Sequence, residues 1–230
     1  MVKYNLIRMT HRWGAPRVGV SVLAMEGQDA NEGRTSVAER AVKRCADVVF
    51  SAVGLVVLSP VFLIISILLL LQRNGRVFYS QERIGKGGRP FRIYKFRTVS
   101  TAVEDDGPQL LPEVDDALST PVERFLRRRH LDELPQLWNV LRGDMSIVGY
   151  RPERQYFIDR IMERRPDYAL LYALRPGLTS EATLYNGYTD TMEKMIRRLD
   201  MDLAYLHNHS LWVDMKICLL TVGRMFSKSD

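Results

Sequence analysis

The feature that most constrains this chain is a run of 25 residues, 48–72, without a single charged side chain. A helix that is apolar on every face must be buried in protein or in lipid, and about 20 apolar residues suffice to cross a bilayer. Ser59 and Pro60 interrupt the run near its centre. A proline inside a helix removes a backbone donor and predicts a kink, and Ser59 can hydrogen-bond a carbonyl that the kink frees. The run therefore predicts two short apolar helices joined by a break.

Basic residues flank this run on both sides. Lys43 and Arg44 precede it, and Arg73 and Arg76 follow it. Because basic residues favour the cytoplasmic side of a membrane, the two flanks fit a hairpin that enters and leaves by the same face. From the residues alone, a re-entrant helix and a spanning helix are equal alternatives, and a buried hairpin in a soluble core is a third.

The charge of the protein is concentrated directly after the apolar run. Residues 73–97 carry eight Lys and Arg against Glu82, a net of +7, so the rest of the chain sums to −1 of the formal +6. A basic protein is expected to have an anionic partner, and nucleic acid, anionic lipid and a phosphorylated small molecule all fit. The neighbouring apolar run favours lipid head groups over nucleic acid. Cys45 and Cys218 are too few for a disulfide scaffold or a Cys-built zinc site.

The remaining pattern predicts a mostly helical α+β chain in three regions, residues 1–35, 36–72 and 73–230. The first region has no periodicity and no apolar signal-peptide core, and we expect a flexible tail. The second begins with a capping box, Ser36-Val37-Ala38-Glu39. In the third, a glycine-rich turn at 85–90 predicts a β-hairpin. Further elements are expected as strands at 77–81, 91–96 and 146–149, a mobile loop at 101–117, a turn at 175–177, and helices from 121 and at 135–141, 154–162, 192–206 and 211–226.

The last predicted helix, at 211–226, is amphipathic and has Trp212 near its start. This composition suits a helix that lies on a membrane surface. An ordinary terminal helix that faces the core is an equal alternative.

The densest candidate for chemistry is the segment 127–136. Three arginines precede two adjacent carboxylates, Asp132 and Glu133, which in turn precede a predicted helix start. A helix N-terminus and arginine side chains suit phosphate, paired carboxylates can hold Mg²⁺ together with substrate phosphates, and a carboxylate can act as a nucleophile. These are the parts of a phosphoryl-transfer site, although the helix dipole alone also favours Asp-Glu at this position.

Residues 132–149 closely resemble the signature of the bacterial sugar transferase family, the monotopic phosphoglycosyl transferases. They read Asp-Glu-Leu-Pro-Gln-Leu-Trp-Asn-Val-Leu-Arg-Gly-Asp-Met-Ser-Ile-Val-Gly. The resemblance covers about residues 37–226. Further matching motifs, in chain order, are Lys43-Arg44 with Asp47, Ser59-Pro60, Gln81-Glu82-Arg83-Ile84-Gly85, Tyr94-Lys95-Phe96-Arg97-Thr98 and Arg175-Pro176-Gly177-Leu178-Thr179.

The resemblance implies a mechanism and the residues that perform it. Asp132 would attack the sugar-proximal phosphate of a UDP-sugar, release UMP and form a phosphosugar ester, which undecaprenyl or another polyprenyl phosphate would then attack. Glu133 would be its partner carboxylate, and the two would hold Mg²⁺. The residues expected to bind phosphate or substrate are Lys95, Arg97, Arg128, Arg129, Arg151 and Arg175.

The resemblance also implies a location and a pathway. Ser59-Pro60 matches the break that makes the membrane helix re-entrant, with Lys43, Arg44 and Asp47 close to the membrane. Residues 73–230 would then be a cytosolic catalytic domain with interfacial helices on the bacterial inner membrane. The product would initiate synthesis of exopolysaccharide, capsule, O-antigen or glycoprotein glycans. No nucleic-acid partner is expected for the protein, and the resemblance permits a homodimer. The alternative is a non-enzymatic scaffold for glycan-assembly enzymes at the membrane surface.

Three positions depart from the family pattern. Tyr150 stands where the family usually has proline, His130 stands where a small residue is common, and Thr179 is followed by serine rather than glycine. Because both carboxylates are present, these departures leave the implied chemistry intact. They do not indicate which sugar is bound.

Overall fold

The computed structural model describes residues 36–72, 77–98, 119–186, 189 and 191–226. The predicted tail at 1–35, the predicted loop at 101–117 and the basic residues Arg73 and Arg76 lie outside the described residues. The described helices are α1 (Val37–Val57), α2 (Ser59–Gln72), α3 (Pro121–Arg128), α4 (Gln136–Arg142), α5 (Gln155–Arg164), α6 (Glu181–Tyr185), α7 (Met192–Asn208) and α8 (Leu211–Phe226). The described strands are β1 (Phe78–Ile84), β2 (Pro90–Phe96), β3 (Ser146–Val148) and β4 (Gly177–Thr179).

Helices α1 and α2 form a bent pair, as the proline predicted. The predicted capping box between Ser36 and Glu39 is present at the start of α1. The two helices meet at a bend of 58°, where the Ser59 hydroxyl donates a hydrogen bond to the Val56 carbonyl at 2.7 Å. Within the described ranges, no helix is long and apolar enough to cross a membrane alone, whereas α1 and α2 together meet that test of length and composition.

The bent pair exposes much of its apolar surface. At the bend, Val56 and Val57 are 73% and 66% exposed, and Leu71 near the end of α2 is 79% exposed. Further exposed apolar side chains on the pair are Val49, Phe50, Val53, Leu63, Ile64, Ile67 and Leu70. A water-soluble protein rarely leaves so large an apolar surface uncovered.

Both helices of the bent pair are attached to the rest of the fold. In the middle of α1, directly before the uncharged run, the buried carboxylate of Asp47 accepts hydrogen bonds from the Ser146 hydroxyl and the Ile147 backbone N–H. At the end of α2, the side-chain oxygen of Gln72 accepts a hydrogen bond from the Thr120 hydroxyl at 2.7 Å. The uncharged run therefore begins and ends at the same folded unit, by which we mean the described residues from 77 to 226.

The rest of the fold packs around two small sheets. Strands β1 and β2 form the predicted antiparallel hairpin, in which Phe78 pairs with Phe96 and Ile84 with Pro90. The largest buried cluster lies among α5, α7 and the 3₁₀ segment Pro166–Ala173. The described elements are thus mostly helical with a small sheet content, as expected.

The parallel pair of β3 and β4 was only half predicted, because residues 175–177 read as a turn. Ser146 pairs with Gly177, and Val148 pairs with Thr179. The two backbones approach so closely that a Cβ added to Gly177 would lie 2.1 Å from the Gly149 nitrogen. Glycine at both positions permits this crossing.

Candidate active site

The two adjacent carboxylates lie in a tight turn between α3 and α4. His130 adopts a left-handed conformation (φ 53°) and directs the chain into a 3₁₀ turn, Leu131–Glu133. Helix α4 then begins at Gln136, so the predicted helix start follows the pair at a distance of one turn. Both Asp132 and Glu133 are 7% exposed. Burial of two neighbouring carboxylates is costly unless cations or hydrogen-bond donors pair with them.

Two cations from distant parts of the sequence meet at Glu133. Lys95 Nζ, from β2, lies 2.6 Å from Glu133 Oε1, and Arg151 Nη2, just after β3, lies 3.1 Å from the same oxygen. Burial alone would raise the pKa of Glu133, but the charges of Arg151 and Lys95 outweigh it and hold the pKa far below its usual range. Glu133 is therefore ionised at neutral pH, and it raises the pKa of Arg151 in turn.

Asp132 occupies a different electrostatic environment from its neighbour. Burial raises the pKa of the Asp132 carboxyl to about 6; the charge of Lys95 opposes this rise and that of Glu133 adds to it. A carboxylate with a raised pKa is more basic than an exposed one and still ionised near neutral pH. Asp132 can therefore act as a nucleophile, while Glu133 fixes the two cations beside it.

Of the predicted phosphate-binding residues, Lys95 and Arg151 thus lie at the carboxylate pair. Arg128 and Arg129 line a cleft of about 340 Å³ at the end of α3, shortly before the pair in the chain. Arg97 follows β2 two residues after Lys95, and its backbone N–H donates to the Val77 carbonyl at 2.8 Å.

Arg175 lies at the opposite end of α4 from Asp132. Its Nε donates a hydrogen bond to the Gly143 carbonyl at 2.9 Å, while Arg44 donates to the carbonyls of Val140 and Leu141 at 2.7 and 2.9 Å. Burial and the nearby charge of Arg44 lower the pKa of Arg175. Cations are favourable at a helix C-terminus, so in this structure both arginines cap α4.

The remaining residues expected near the membrane also bind the folded unit. Lys43 Nζ donates to Asp214 Oδ2 in α8 at 2.5 Å and to the Val148 carbonyl in β3 at 3.1 Å. Asp214 accepts a second hydrogen bond, from the Tyr205 hydroxyl. Together with the Asp47 contacts, these bonds attach α1 to β3 and α8.

A buried ionic network that the sequence analysis did not identify supports Arg151. Glu153 forms ion pairs with Arg83 of β1 and Arg198 of α7. The backbone N–H of Arg151 hydrogen-bonds Asp202, whose pKa burial raises to about 8. The available signal was in α7, where the charges at 198 and 202 fall beside the apolar positions that predict its buried face.

The carboxylate pair can hold a metal ion only with help from other ligands. Across the described ranges, there is no group of three or more His, Cys, Asp or Glu side chains that could hold a metal. Mg²⁺ typically binds one or two protein carboxylates and takes its other ligands from phosphates and water. The donor set of Asp132 and Glu133 fits that mode of binding, with a phosphorylated substrate supplying further oxygens.

Comparison with known proteins places this site in context. The family model for bacterial sugar transferase matches residues 38–228. A UDP-glucose:undecaprenyl-phosphate glucose-1-phosphate transferase from Caulobacter vibrioides is 42% identical over 191 residues, covering 82% of this chain and 71% of the relative. A UDP-N-acetylgalactosamine-undecaprenyl-phosphate N-acetylgalactosaminephosphotransferase from Aeromonas hydrophila is 36% identical over 181 residues, covering 79% and 43%.

A third relative is close to this chain in length. The exopolysaccharide production protein PSS of Rhizobium leguminosarum is 37% identical over 186 residues, which cover 79% of this chain and 93% of the relative. By contrast, the chain spans only about two fifths of the length of the Aeromonas relative and of a Klebsiella pneumoniae glucose-1-phosphate transferase.

Proposed function

The chain belongs to the bacterial sugar transferase family, and on that premise we propose that it transfers a sugar 1-phosphate from a UDP-sugar to undecaprenyl phosphate. The names of the relatives support this reaction, because they specify UDP-sugars and undecaprenyl phosphate. The observation that carries the proposal is the buried pair of Asp132 and Glu133 with Lys95 and Arg151 beside it. A scaffold has no need of such a pair.

In the first step, a carboxylate oxygen of Asp132 attacks the sugar-proximal phosphorus of the UDP-sugar. A bond forms between that oxygen and phosphorus, the bond from phosphorus to the bridging oxygen breaks, and UMP leaves with the electron pair. The raised pKa of Asp132 gives the oxygen its basicity. Lys95 and Arg151 offset the negative charge that gathers where a diphosphate meets two carboxylates.

In the second step, a phosphate oxygen of undecaprenyl phosphate attacks the same phosphorus. The acyl phosphate bond breaks, the Asp132 carboxylate is regenerated, and the product is a lipid diphosphate sugar. A covalent intermediate divides the transfer into two displacements. The water-soluble donor and the lipid acceptor therefore need not be bound at the same time.

Mg²⁺ belongs to the proposal as the ion that Asp132 and Glu133 would hold. When bound, it would neutralise charge on the donor diphosphate and on the departing UMP. Glu133 would orient Lys95 and Arg151 with or without the ion, because both pair with one of its oxygens.

We place the protein on the inner membrane, with α1 and α2 as a re-entrant hairpin and the rest facing the cytoplasm. Helix α2 has 14 residues and is about 21 Å long, which is short of the roughly 30 Å of a bilayer core. Because Asp47 and Gln72 both bond the same folded unit, both ends of the uncharged run lie on one side. The exposed apolar surface at the bend supports insertion in lipid.

Helix α8 is proposed to lie in the membrane surface. Its buried face, which includes Asp214 and Ile217, packs on the folded unit. Its outward face exposes Trp212 and Leu219 by 72% and 69%, with Met215 and Val222 on the same side. The sequence left two alternatives for this helix, a membrane-surface helix and a terminal helix that faces the core. They are compatible, because one face of α8 packs on the core and the other would contact lipid.

The experiment that tests this function measures UMP release by the purified full-length protein from a panel of UDP-sugars with Mg²⁺ and undecaprenyl phosphate. We expect release with at least one sugar. Asp132→Asn should lower the rate by about a thousandfold or more, because a carboxamide cannot form the phosphosugar ester. Asp200→Asn, at an exposed carboxylate in α7, is the control and should stay within about twofold of the wild type.

Two outcomes would contradict the proposal. If the wild type released no UMP from any UDP-sugar, the scaffold alternative would be favoured. If Asp132→Asn retained most of the rate, Asp132 would not be the nucleophile. Removal of Mg²⁺ with a chelator should abolish turnover, and persistent turnover would remove the ion from the proposal.

A further inference from the structure

An apolar groove lies between α2 and α3. It has a volume of about 390 Å³ and is lined by Val61, Ile64, Ile65, Leu68, Pro121, Val122, Phe125, Leu126 and Leu131. Every one of these side chains is apolar. Ile65 and Leu126 are buried, whereas Ile64 and Phe125 are 58% and 55% exposed. The groove is thus an open apolar channel whose floor is part of the core.

The groove adjoins the arginine-lined cleft. Pro121 and Phe125 line both cavities, and the cleft adds Arg124, Arg128 and Arg129. Arg124 Nη1 is held by the Ser119 carbonyl at 2.7 Å, whereas Arg128 is exposed at the end of α3. An apolar channel therefore continues into a cationic cleft.

Both cavities are lined by residues that come shortly before Asp132 in the chain. Leu131, which lines the groove, is the residue directly before Asp132. Arg129, in the cleft, is three residues before Asp132 and precedes the left-handed His130. A ligand with its chain in the groove and its head in the cleft would therefore contact residues that lie one to four positions before Asp132 in the chain.

We propose that this groove and cleft form the acceptor site, in which one prenyl chain lies between α2 and α3 and its monophosphate is held by Arg128 and Arg129. The inference rests on the proposed function, which requires a lipid phosphate as acceptor. Charge complementarity selects this occupant, because only an amphiphile with an anionic head matches an apolar channel that ends in arginines. The groove that adjoins the cleft lies between one pair of helices, and we therefore assign it a single prenyl chain.

This site separates the two substrates within the protein. The acceptor approaches from the side of α2 and α3. The cations that pair with Glu133 come from other elements, Lys95 from β2 and Arg151 from the segment after β3. The acceptor chain would stay in contact with the membrane helix during transfer. Substitutions in the groove should therefore affect the second displacement rather than the first.

The test uses the full-length protein in nanodiscs with a long-chain prenyl phosphate that carries a photoreactive diazirine on its chain. We expect labelling within residues 61–68 and 121–131. Excess unlabelled prenyl phosphate should compete, and phosphatidylglycerol at the same concentration should not. Labelling elsewhere, or equal competition by phosphatidylglycerol, would overturn the proposal, the latter because the groove would then be a general lipid contact.

A matched pair of variants gives an independent readout. Ile64→Trp fills the groove, whereas Ile67→Trp adds the same side chain to an exposed position of α2 outside the groove. We expect Ile64→Trp to lower labelling at least fivefold and raise the KM for prenyl phosphate at least tenfold, and Ile67→Trp to change neither more than twofold. Equal effects of the two variants would overturn the proposal.

Failure of this site and failure of the proposed function are distinguishable. UMP released in a single turnover without acceptor reports the donor step alone, and its absence in the wild type would contradict the proposed function. Photolabelling needs no turnover and decides the acceptor site by itself. Normal donor chemistry with labelling outside the groove would contradict only the acceptor site.

Discussion

At the scale of single residues, Asp132 and Glu133 are chain neighbours with opposite electrostatic roles. Both are buried, but the two cations contact Glu133 and lower its pKa despite burial, whereas burial raises the pKa of Asp132. Sequence reasoning identified the pair, because adjacent carboxylates behind three arginines are conspicuous. The family resemblance named Lys95 and Arg151 as binding residues, but their pairing with Glu133 could not be predicted, since they are 38 and 18 residues from it in the chain and only the fold brings them together.

Arg175 shows that one residue type can suit two kinds of partner. The family resemblance implied that it binds phosphate, for which a guanidinium is suited, and this stays a prediction. The same group suits the carbonyls at a helix end, and here it contacts Gly143 at the end of α4. Residue type specifies what a side chain can bind, and only the fold shows that the Gly143 carbonyl lies within reach of Arg175.

The raised pKa of Asp132 predicts a pH dependence of the donor step. In the proposed donor step the Asp132 carboxylate is the nucleophile, and burial raises its pKa to about 6, so the single-turnover rate of UMP release should fall as pH drops through about 6 and level off above it. Because Lys95 lowers the pKa of Asp132, Lys95→Met should move the inflection to higher pH. An inflection near 4, or a shift to lower pH in the variant, would contradict this environment.

Tyr150, the departure from the usual proline, predicts an effect on stability. Its ring is fully buried in the main core and its hydroxyl has no hydrogen-bond partner among the described residues, and an unsatisfied buried hydroxyl costs about 1–3 kcal/mol. Tyr150→Phe should therefore raise the free energy of unfolding by about 1 kcal/mol, seen as a higher Tm in detergent.

Tyr205→Phe is the matched control for that measurement. The Tyr205 hydroxyl donates to the buried carboxylate of Asp214 at 2.5 Å, so its removal should lower the free energy of unfolding by about 1–2 kcal/mol. The two variants delete the same atom and should shift Tm in opposite directions. Loss of stability in Tyr150→Phe would show that its hydroxyl is satisfied.

At the scale of elements, local chemistry predicted most helices and the hairpin. The capping box, the proline break and the glycine-rich turn each depend on neighbouring residues, and the structure confirms all three. Strand β4 was missed because three residues carry too little periodicity, and because its partner β3 lies some thirty residues away. A parallel pairing of this kind depends on close approach of the two strand backbones, and in the sequence only Gly149 and Gly177 indicate that approach.

The close approach of β3 and β4 predicts that the glycines at this point cannot be replaced. A Cβ at Gly149 would lie 2.4 Å from the Arg175 carbonyl oxygen, which no real contact permits. Gly149→Ala should therefore lower the free energy of unfolding by about 3 kcal/mol and reduce the yield of folded protein.

Gly223→Ala, in α8, is the control for the crossing. A Cβ there would meet nothing within 4 Å, and alanine favours a helix over glycine by about 1 kcal/mol. Its Tm should stay equal or rise. If Gly149→Ala were equally tolerated, the two backbones would not approach as closely as the structure shows.

At the scale of the whole molecule, average composition conceals how the chain is organised. A mean hydropathy of −0.15 averages an exposed apolar hairpin with a polar folded unit. The uncharged run and its basic flanks predicted that division, but left re-entrant and spanning helices equal. The contacts of Asp47 and Gln72 with one folded unit favour re-entry, and these contacts are long-range ones that no local pattern encodes.

Re-entry predicts which positions a membrane-impermeant thiol reagent can reach. With Cys45 and Cys218 replaced by serine, single cysteines at Ala38 and Ser80 should both react in inverted inner-membrane vesicles and both be protected in intact spheroplasts. A cysteine at Val57, at the bend, should be protected in both preparations. Labelling of Ala38 and Ser80 from opposite sides would contradict the hairpin.

The most direct test of the central claim is the mass of the protein after reaction with a UDP-sugar, without acceptor. The account predicts a covalent adduct of one phosphosugar, located on the peptide that contains Asp132, absent in Asp132→Asn and discharged by adding undecaprenyl phosphate. An unmodified protein that nevertheless transfers the phosphosugar would show direct transfer between substrates and contradict the role assigned to Asp132.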